Sequence, residues 1–217
     1  MKERIFTTTK DGSQTIYIPA LDEHYHSTNG AIQEAQIVYI QAALDYCKKD
    51  EINVFEAGFG TGLNAYLTML ESKKKISYTS IELYPLTEKE YSSLNHHKII
   101  LNGSEKSFLK LHKAKWGEFC NINENFRLKK INEDLTLHSF EKGYDVIYFD
   151  AFAPDVQPHL WTEDLFKKIY DSMNSGGILT TYCVKGIVKR ALKSCGFKIE
   201  KLPGAIGKRE MLRAIKE

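Results

Sequence analysis
The sequence predicts an α/β fold built on a mostly parallel sheet. Three observations carry this reading. From residue 52 onward, short apolar runs rich in Ile, Val, Tyr and Phe alternate with segments of helical spacing. The clearest run, Tyr144-Asp145-Val146-Ile147-Tyr148-Phe149-Asp150, is nearly continuous in apolar residues, the pattern of a strand covered on both faces. The last two runs follow one another without a helix between them, so the sheet should end in one antiparallel strand. Seven such runs predict a seven-stranded sheet. The first fifty residues read differently, as a short β-hairpin and helix extension. The chain is therefore divided into an extension at 1–50 and a core at 51–217, with an insertion at about 101–125, all within one domain.

Each element follows from local chemistry. Ile5-Phe6-Thr7-Thr8-Thr9 and Gln14-Thr15-Ile16-Tyr17-Ile18 are β-branched runs flanking Asp11-Gly12, a hairpin signal. Ala31 to Cys47 carries Ile32, Ala35, Val38, Tyr39, Ala42, Ala43 and Tyr46 at helical spacing. Ile52-Asn53-Val54-Phe55-Glu56 is a strand ending at glycines, and Leu63 to Ser72 a helix. Ile76 to Glu82 is a strand closed by Pro85, and Leu86 to His97 a helix. In the insertion, Phe108, Leu109, Leu111 and Trp116 are available to dock a helix and loop. Phe126 to Ile131 is a strand. Thr162 caps a helix to Asn174 that exits at Gly176-Gly177. Ile178 to Tyr182, Phe197 to Leu202 and Met211 to Ile215 are strands, and Gly186 to Ser194 is a helix.

The composition excludes several classes. Charged residues make up 27% and aromatics 12% of 217 residues, with a net charge of +2, which is ordinary globular composition. No apolar run approaches the roughly 20 residues that span a bilayer. The N-terminus, Met1-Lys2-Glu3-Arg4-Ile5, lacks the apolar core of a signal peptide. Cys47, Cys120, Cys183 and Cys195 form no CxxC pair, so reduced thiols in a cytoplasmic protein, without a metal, are expected. Charge is uneven: residues 185–217 hold ten basic and three acidic side chains, against 20 and 25 elsewhere. That asymmetry points to an anionic partner near the C-terminal third.

Phe55-Glu56-Ala57-Gly58-Phe59-Gly60-Thr61-Gly62-Leu63-Asn64 follows the first core strand and opens a helix. Its glycines allow tight turning and close approach of a ligand. The spacing is GxGxG rather than the GxGxxG of dinucleotide sites, and Glu56 beside it repels phosphate but suits a cationic or amino-acid ligand. Glu82 ends the next strand, placed to accept both hydroxyls of a ribose. The glycine loop resembles that of class I S-adenosylmethionine-dependent methyltransferases, which are Rossmann-like. That class implies a contact to an adenine amine from Glu133 or Asp134, which follow the third strand. That resemblance implies a cofactor site made of Glu56, Gly58, Phe59, Gly60, Gly62, Asn64, Glu82, Glu133, Asp134 and Asp150.

Asp150-Ala151-Phe152-Ala153-Pro154 ends the fourth core strand and so faces the same crevice. This run, Lys208-Arg209-Glu210-Met211-Leu212, and the glycine loop with Glu82 and Pro85-Leu86 carry a narrower resemblance. Pro158, Leu160-Trp161-Thr162, Gly176-Gly177, Arg190, Tyr25, Ser27, Gly30 and Glu34 add to it. The chain is similar to the tRNA 5-methylaminomethyl-2-thiouridine methyltransferase family, in its standalone MnmD-like form and in the N-terminal domain of bifunctional MnmC. The family usually has Gly-Asp where this chain has Asn132-Glu133.

The resemblance implies N-methylation of the 5-aminomethyl group on the wobble uridine of tRNA, with S-adenosyl-L-methionine and neither metal nor flavin. Asp150, Phe152 and Pro154 are the implied catalytic set, with Asp150 positioning the amine. Tyr25 and His26 would shape the uridine pocket. Lys185, Lys189, Arg190, Lys208 and Arg209 would meet anticodon stem-loop phosphates. No membrane and no obligatory protein partner are expected, although a separate oxidase or the upstream wobble-uridine modification complex would act alongside. Two other readings stay open: a class I methyl- or aminopropyltransferase acting on a small amine, and a silent S-adenosylmethionine-binding module.

Overall fold
The structure is a computed structural model that describes residues 3–217. Met1 and Lys2, part of the N-terminal reading, lie outside the described residues. The chain begins with β1 (Ile5–Thr8), β2 (Gln14–Ile18) and β3 (Glu23–His24), an antiparallel sheet in the order β1-β2-β3. The turn between the first two forms because the Asp11 carboxylate accepts from Thr9 Oγ1 at 2.6 Å and Ser13 N at 3.1 Å. α1 (Ala31–Ala35) runs on into a wider-wound stretch, Gln36–Leu44, where Asp45 N reaches back five residues to Ile40 O at 2.9 Å.

The core follows: β4 (Glu51–Ala57), α2 (Leu63–Glu71), β5 (Lys75–Ile81), α3 (Glu88–Ser93), α4 (His96–Ile99), α5 (Glu105–Lys113), β6 (Phe119–Asn121) and β7 (Phe126–Ile131). Then come β8 (Tyr144–Phe149), α6 (Glu163–Ser172), β9 (Met173–Thr181), α7 (Gly186–Ser194), β10 (Phe197–Pro203) and β11 (Glu210–Lys216). Their sheet is ordered β10-β11-β9-β8-β4-β5-β7-β6. The five strands from β9 to β7 are parallel, while β11 runs antiparallel to both neighbours.

Strand alternation sorts the apolar side chains into two cores, one on each face of the sheet. Ile52, Val54, Val146 and Tyr148 join the cluster under α1 and α2. Phe55, Ala57, Ile147 and Phe149 join the other, under α6 and α7. The cysteines are free thiols, and Cys120 is the one not fully buried.

Three expectations need correction. The main sheet has eight strands, not seven, because Phe119–Asn121 of the insertion pairs with β7 along the edge, with the Arg127 guanidinium 4.5 Å above the Phe119 ring. The expected helix over 86–97 is two helices. The chain turns extended at Leu94, which frees Asn95 to accept from Gln14 N and donate to Gly12 O, both at 2.9 Å, tying the core to the hairpin. Finally, Gly176-Gly177 lies inside β9 rather than at the exit of α6. The helix end is satisfied instead by Gly143, whose N–H donates to Ser172 O at 2.8 Å. The glycines sit where the pairing with β8 jumps from Met173 to Ile178.

Candidate active site
Strand order reverses around β4, since the chain proceeds to β5 and β7 on one side and to β8 and β9 on the other. Crevices at such a point, beyond the carboxyl ends of the strands, are where open α/β sheets bind ligands. A cavity of about 420 Å³ lies here. The loops after β4, β5, β7 and β8 supply Gly58, Phe59, Gly60, Glu82, Glu133, Asp134, Asp150 and Phe152. The N-terminal extension supplies Tyr25, His26 and Glu34, and the C-terminal half Tyr182 and Lys208.

The loop after β4 is held by its neighbours. Gly58 N and Phe59 N donate to Ile81 O at 3.0 and 3.2 Å, and Gly60 N donates to Glu82 Oε2 at 3.0 Å. The second Glu82 oxygen accepts from Tyr84 N at 2.8 Å. Gly58 has φ +96°, and a Cβ there would meet the Asp150 carbonyl oxygen at 3.2 Å. Gly60 has φ +51°, with the Tyr25 ring 3.4 Å from such a Cβ. A side chain at either position would therefore be strained, and at Gly58 also crowded. This bare backbone cradle, with an acid at the end of β5, fits a nucleoside with an amino-acid tail.

Asp150 is held on both oxygens. Tyr39 Oη donates to Oδ1 at 2.6 Å, and Asn64 Nδ2 donates to Oδ2 at 2.8 Å. Burial pushes the Asp150 carboxyl up, while His26 and these two hydrogen bonds pull it down. His26 shares a 2.8 Å hydrogen bond with Thr61 Oγ1, and burial lowers its basicity. The Tyr25 ring meets Phe152 edge-on at 5.3 Å, and burial pushes its phenol up to about 12. Glu133 bonds His138 at 2.8 Å, and Asp134 accepts from Thr136 N at 2.8 Å, so both acids face the cavity while braced from behind.

Some expected residues lie elsewhere. Glu56 does not line the cavity. It is fully buried beneath the loop, accepts from Ser80 Oγ at 2.6 Å, and burial pushes its carboxyl up to about 8. Gly62 and Pro154 also lie outside the lining. Pro154 is buried, and a Cβ on Gly62 would meet His112 at 3.0 Å. Lys208, expected to meet a phosphate, does not point away from the cavity. It enters the cavity, pairs with Glu34 at 2.5 Å and lies 4.2 Å above the Tyr182 ring. Lys185 is paired with Asp155. Lys189, Arg190 and Arg209 carry no ion pair among the described residues.

Two contributors escaped the sequence reading of the site. Tyr39 was assigned to the buried helix face by its spacing, and nothing local marks its hydroxyl as a partner of Asp150. Tyr182, whose hydroxyl donates to Ala151 O at 2.9 Å, read as the end of a strand. Among the described residues no group of three or more His, Cys, Asp or Glu side chains is arranged to hold a metal, and no helix is long and apolar enough to cross a membrane.

A parallel sheet with an acid-flanked glycine cradle at its reversal point is the arrangement of nucleoside-cofactor enzymes, and comparison with known proteins narrows it. The family profile of S-adenosyl-L-methionine-dependent methyltransferases matches residues 102–217. The chain belongs to that family. The bifunctional tRNA 5-methylaminomethyl-2-thiouridine biosynthesis protein MnmC of Marinomonas sp. is 29% identical over 220 residues, covering 88% of this chain and 31% of the relative. MnmC of Campylobacter concisus is 30% identical over 205 residues, covering 90% and 33%. The chain thus spans about a third of the length of these relatives. Among solved structures, MnmC2 from Aquifex aeolicus superposes with a TM-score of 0.77 at 24% identity, over 99% of this chain and 71% of that one. Spermidine synthase from Thermotoga maritima shares the fold at 0.59 and 13% identity, over 98% and 72%.

Proposed function
We propose that this chain transfers a methyl group from S-adenosyl-L-methionine to the 5-aminomethyl nitrogen of the wobble uridine in tRNA. The observation that carries the reading is the placement of Asp150: a carboxylate fixed on both oxygens, in one cavity with the glycine cradle and the Tyr25–Phe152 aromatic pair. The relatives named for this pathway support the substrate.

In this reading Gly58, Phe59, Gly60 and Asn64 hold the cofactor, Glu82 takes the ribose hydroxyls, and Glu133 or Asp134 meets the adenine amine. The bound cofactor supplies an electrophilic methyl on a sulfonium. Asp150 accepts a hydrogen bond from the acceptor amine and aims its lone pair. Alignment of this kind can supply several kcal/mol of rate enhancement without a further catalytic group. Tyr25, His26 and Phe152 shape the space for the uracil and exclude water. Lys189, Arg190 and Arg209 meet backbone phosphates. The extension and the core act as one unit, supported by the Arg4–Glu90 ion pair at 3.0 Å and the Lys208–Glu34 pair.

The test incubates the protein with labelled S-adenosyl-L-methionine and undermodified tRNA carrying 5-aminomethyluridine, then identifies the labelled nucleoside. Label in 5-methylaminomethyluridine is expected. Turnover on free diamines and none on tRNA would overturn the substrate. Asp150→Asn should slow single-turnover transfer by more than about tenfold, or ~1.4 kcal/mol. Affinity for S-adenosylhomocysteine should change far less.

A further inference from the structure
We propose that Tyr39 is a positioning residue for methyl transfer, acting through the Asp150 carboxylate. The inference rests on the reading that Asp150 receives the acceptor amine. Tyr39 itself does not line the cavity and is only 1% exposed, so it meets neither cofactor nor substrate. Its ring packs against Tyr148 at a centroid distance of 5.1 Å, on the inner side of the sheet. Packing alone would be served by phenylalanine. A buried phenol must find a partner for its hydroxyl, and this one donates to Asp150, 111 residues away, at 2.6 Å.

The backbone is built to deliver that contact. Tyr39 stands in Gln36–Leu44, where the helix is wound with five-residue hydrogen bonds. Such widening re-aims side chains relative to a regular helix and is common at functional sites. Asn64, in the first turn of α2 directly after the glycine loop, grips the other carboxylate oxygen at 2.8 Å. With both oxygens held, the Asp150 carboxyl plane is not free to rotate. Each oxygen keeps a lone pair to accept an N–H from the substrate.

The direction of donation is also set. Burial and the nearby Asp150 charge push the Tyr39 phenol well above its ordinary range, so it remains a donor. Donation favours the ionised form of Asp150 and opposes the effect of burial. The other groups that bear on Asp150 are His26 from the extension, Glu34 from α1, Glu56 from β4, Asn64 from α2, Tyr78 from β5 and Tyr182 after β9. None of them duplicates the contact at Oδ1.

Tyr39→Phe, Asp150→Asn and the double variant decide the matter. Single-turnover methyl transfer to the 5-aminomethyluridine tRNA is measured across pH, with S-adenosylhomocysteine affinity by calorimetry. In cofactor-free protein carrying [4-¹³C]aspartate, the Asp150 carboxyl is titrated by NMR, its resonance assigned by its loss in Asp150→Asn. For Tyr39→Phe we expect a rate about tenfold lower. Its Asp150 midpoint should rise by about one pH unit. Cofactor affinity should stay within about twofold, and the acidic limb of the rate profile should move up with the midpoint. Adding Tyr39→Phe to Asp150→Asn should slow the reaction little further, because the carboxylate that Tyr39 positions is already gone.

A wild-type rate and midpoint in folded Tyr39→Phe, alongside a slow Asp150→Asn, would overturn the Tyr39 inference alone. A wild-type rate in Asp150→Asn would overturn the reading of Asp150 and the inference with it. Should Tyr39→Phe fail to fold, 3-fluorotyrosine at position 39 keeps the ring and provides a stronger donor. The Asp150 midpoint should then fall, and an unmoved midpoint would overturn the inference.

Discussion

The cavity has two kinds of wall, and they are made differently. The strand-end loops supply the glycine cradle, Glu82, Glu133, Asp134 and Asp150 from short contiguous motifs, each placed by the strand before it. The remaining wall joins Tyr25, His26 and Glu34 from the extension to Lys208, with Glu34 and Lys208 paired across 174 residues of sequence. One wall is set by local turn chemistry and sheet order. The other exists only when the two ends of the chain have come together. A cofactor shared by many enzymes suits the first kind, and an acceptor particular to one reaction suits the second. Disturbing one wall should therefore change one ligand and spare the other.

The largest effect is expected at the strand-end wall. Gly58→Val forces a β-branched residue to φ +96° and sets its Cβ 3.2 Å from the Asp150 carbonyl. Strain of this kind is worth about 1–3 kcal/mol before any loss of ligand contact. Calorimetry should find S-adenosylhomocysteine affinity lowered by more than about 100-fold, near 3 kcal/mol. Binding of tRNA, measured by filter retention, should change by less than about threefold, under ~0.7 kcal/mol. Equal losses of both ligands would erase the distinction between the walls.

The same division explains what the sequence made legible. Strands β4, β7 and β8 and helix α7 were readable because continuous apolar runs and helical periodicity are local signals. Glu82 and Asp150 were readable because a strand end fixes where the next side chain goes. Glu56 was expected at the cofactor from its place beside the glycine loop, whereas strand alternation turns it under the loop onto Ser80. Gly176-Gly177 looked like a helix exit because glycines commonly end helices, yet here they relieve a jump in strand pairing. Tyr39 and the Lys208–Glu34 pair were beyond reach, since each depends on a partner more than a hundred residues away.

Beneath the strand-end wall, Glu56 offers a second test. Its folded-state carboxyl is raised from 4.5 to about 8 by burial. A raised acid supports the fold fully below its unfolded value, and that support is lost as pH climbs toward about 8. Glu56→Gln keeps the shape and does not ionise. In urea unfolding at pH 8, the variant should be more stable than the wild type by about 3–4 kcal/mol. The gap should close near pH 5. A constant difference between pH 5 and 8 would show that Glu56 titrates as an ordinary acid.

At the second wall the expected change is smaller. Lys208→Met removes the cation above Tyr182 and leaves Glu34, which is 8% exposed, with the Ser27 N–H at 2.9 Å as its one partner among the described residues. Denaturant midpoints should fall by the equivalent of about 1–2 kcal/mol, as for a buried group losing one charged partner. Combining Lys208→Met with Glu34→Gln should lose less than the two single variants added together. S-adenosylhomocysteine affinity should hold, whereas methyl transfer to tRNA should slow. Loss of cofactor affinity in Lys208→Met would mean that the two walls are not separable.

The smallest effect concerns the outer surface beside the second wall. Residues 185–217 carry ten basic and three acidic side chains, but the structure divides the basic ones into two groups. Lys185 and Lys208 spend their charge on Asp155 and Glu34, whereas Lys189, Arg190 and Arg209 have no acidic partner among the described residues. An unpaired cation that meets a phosphate releases a counterion, so tRNA affinity should fall linearly in log salt by about 0.7 per contact with single-stranded RNA. Replacing Lys189 and Arg190 with alanine should lower that slope by about one to two units. Lys185→Ala should lower it by less than half a contact, under about 0.4, because Asp155 already neutralises that charge. The measurement is the salt dependence of tRNA binding, at constant S-adenosylhomocysteine occupancy so that the strand-end wall is held fixed. An equal loss of slope in Lys185→Ala and in the double variant would mean that composition, rather than pairing, sets the RNA surface.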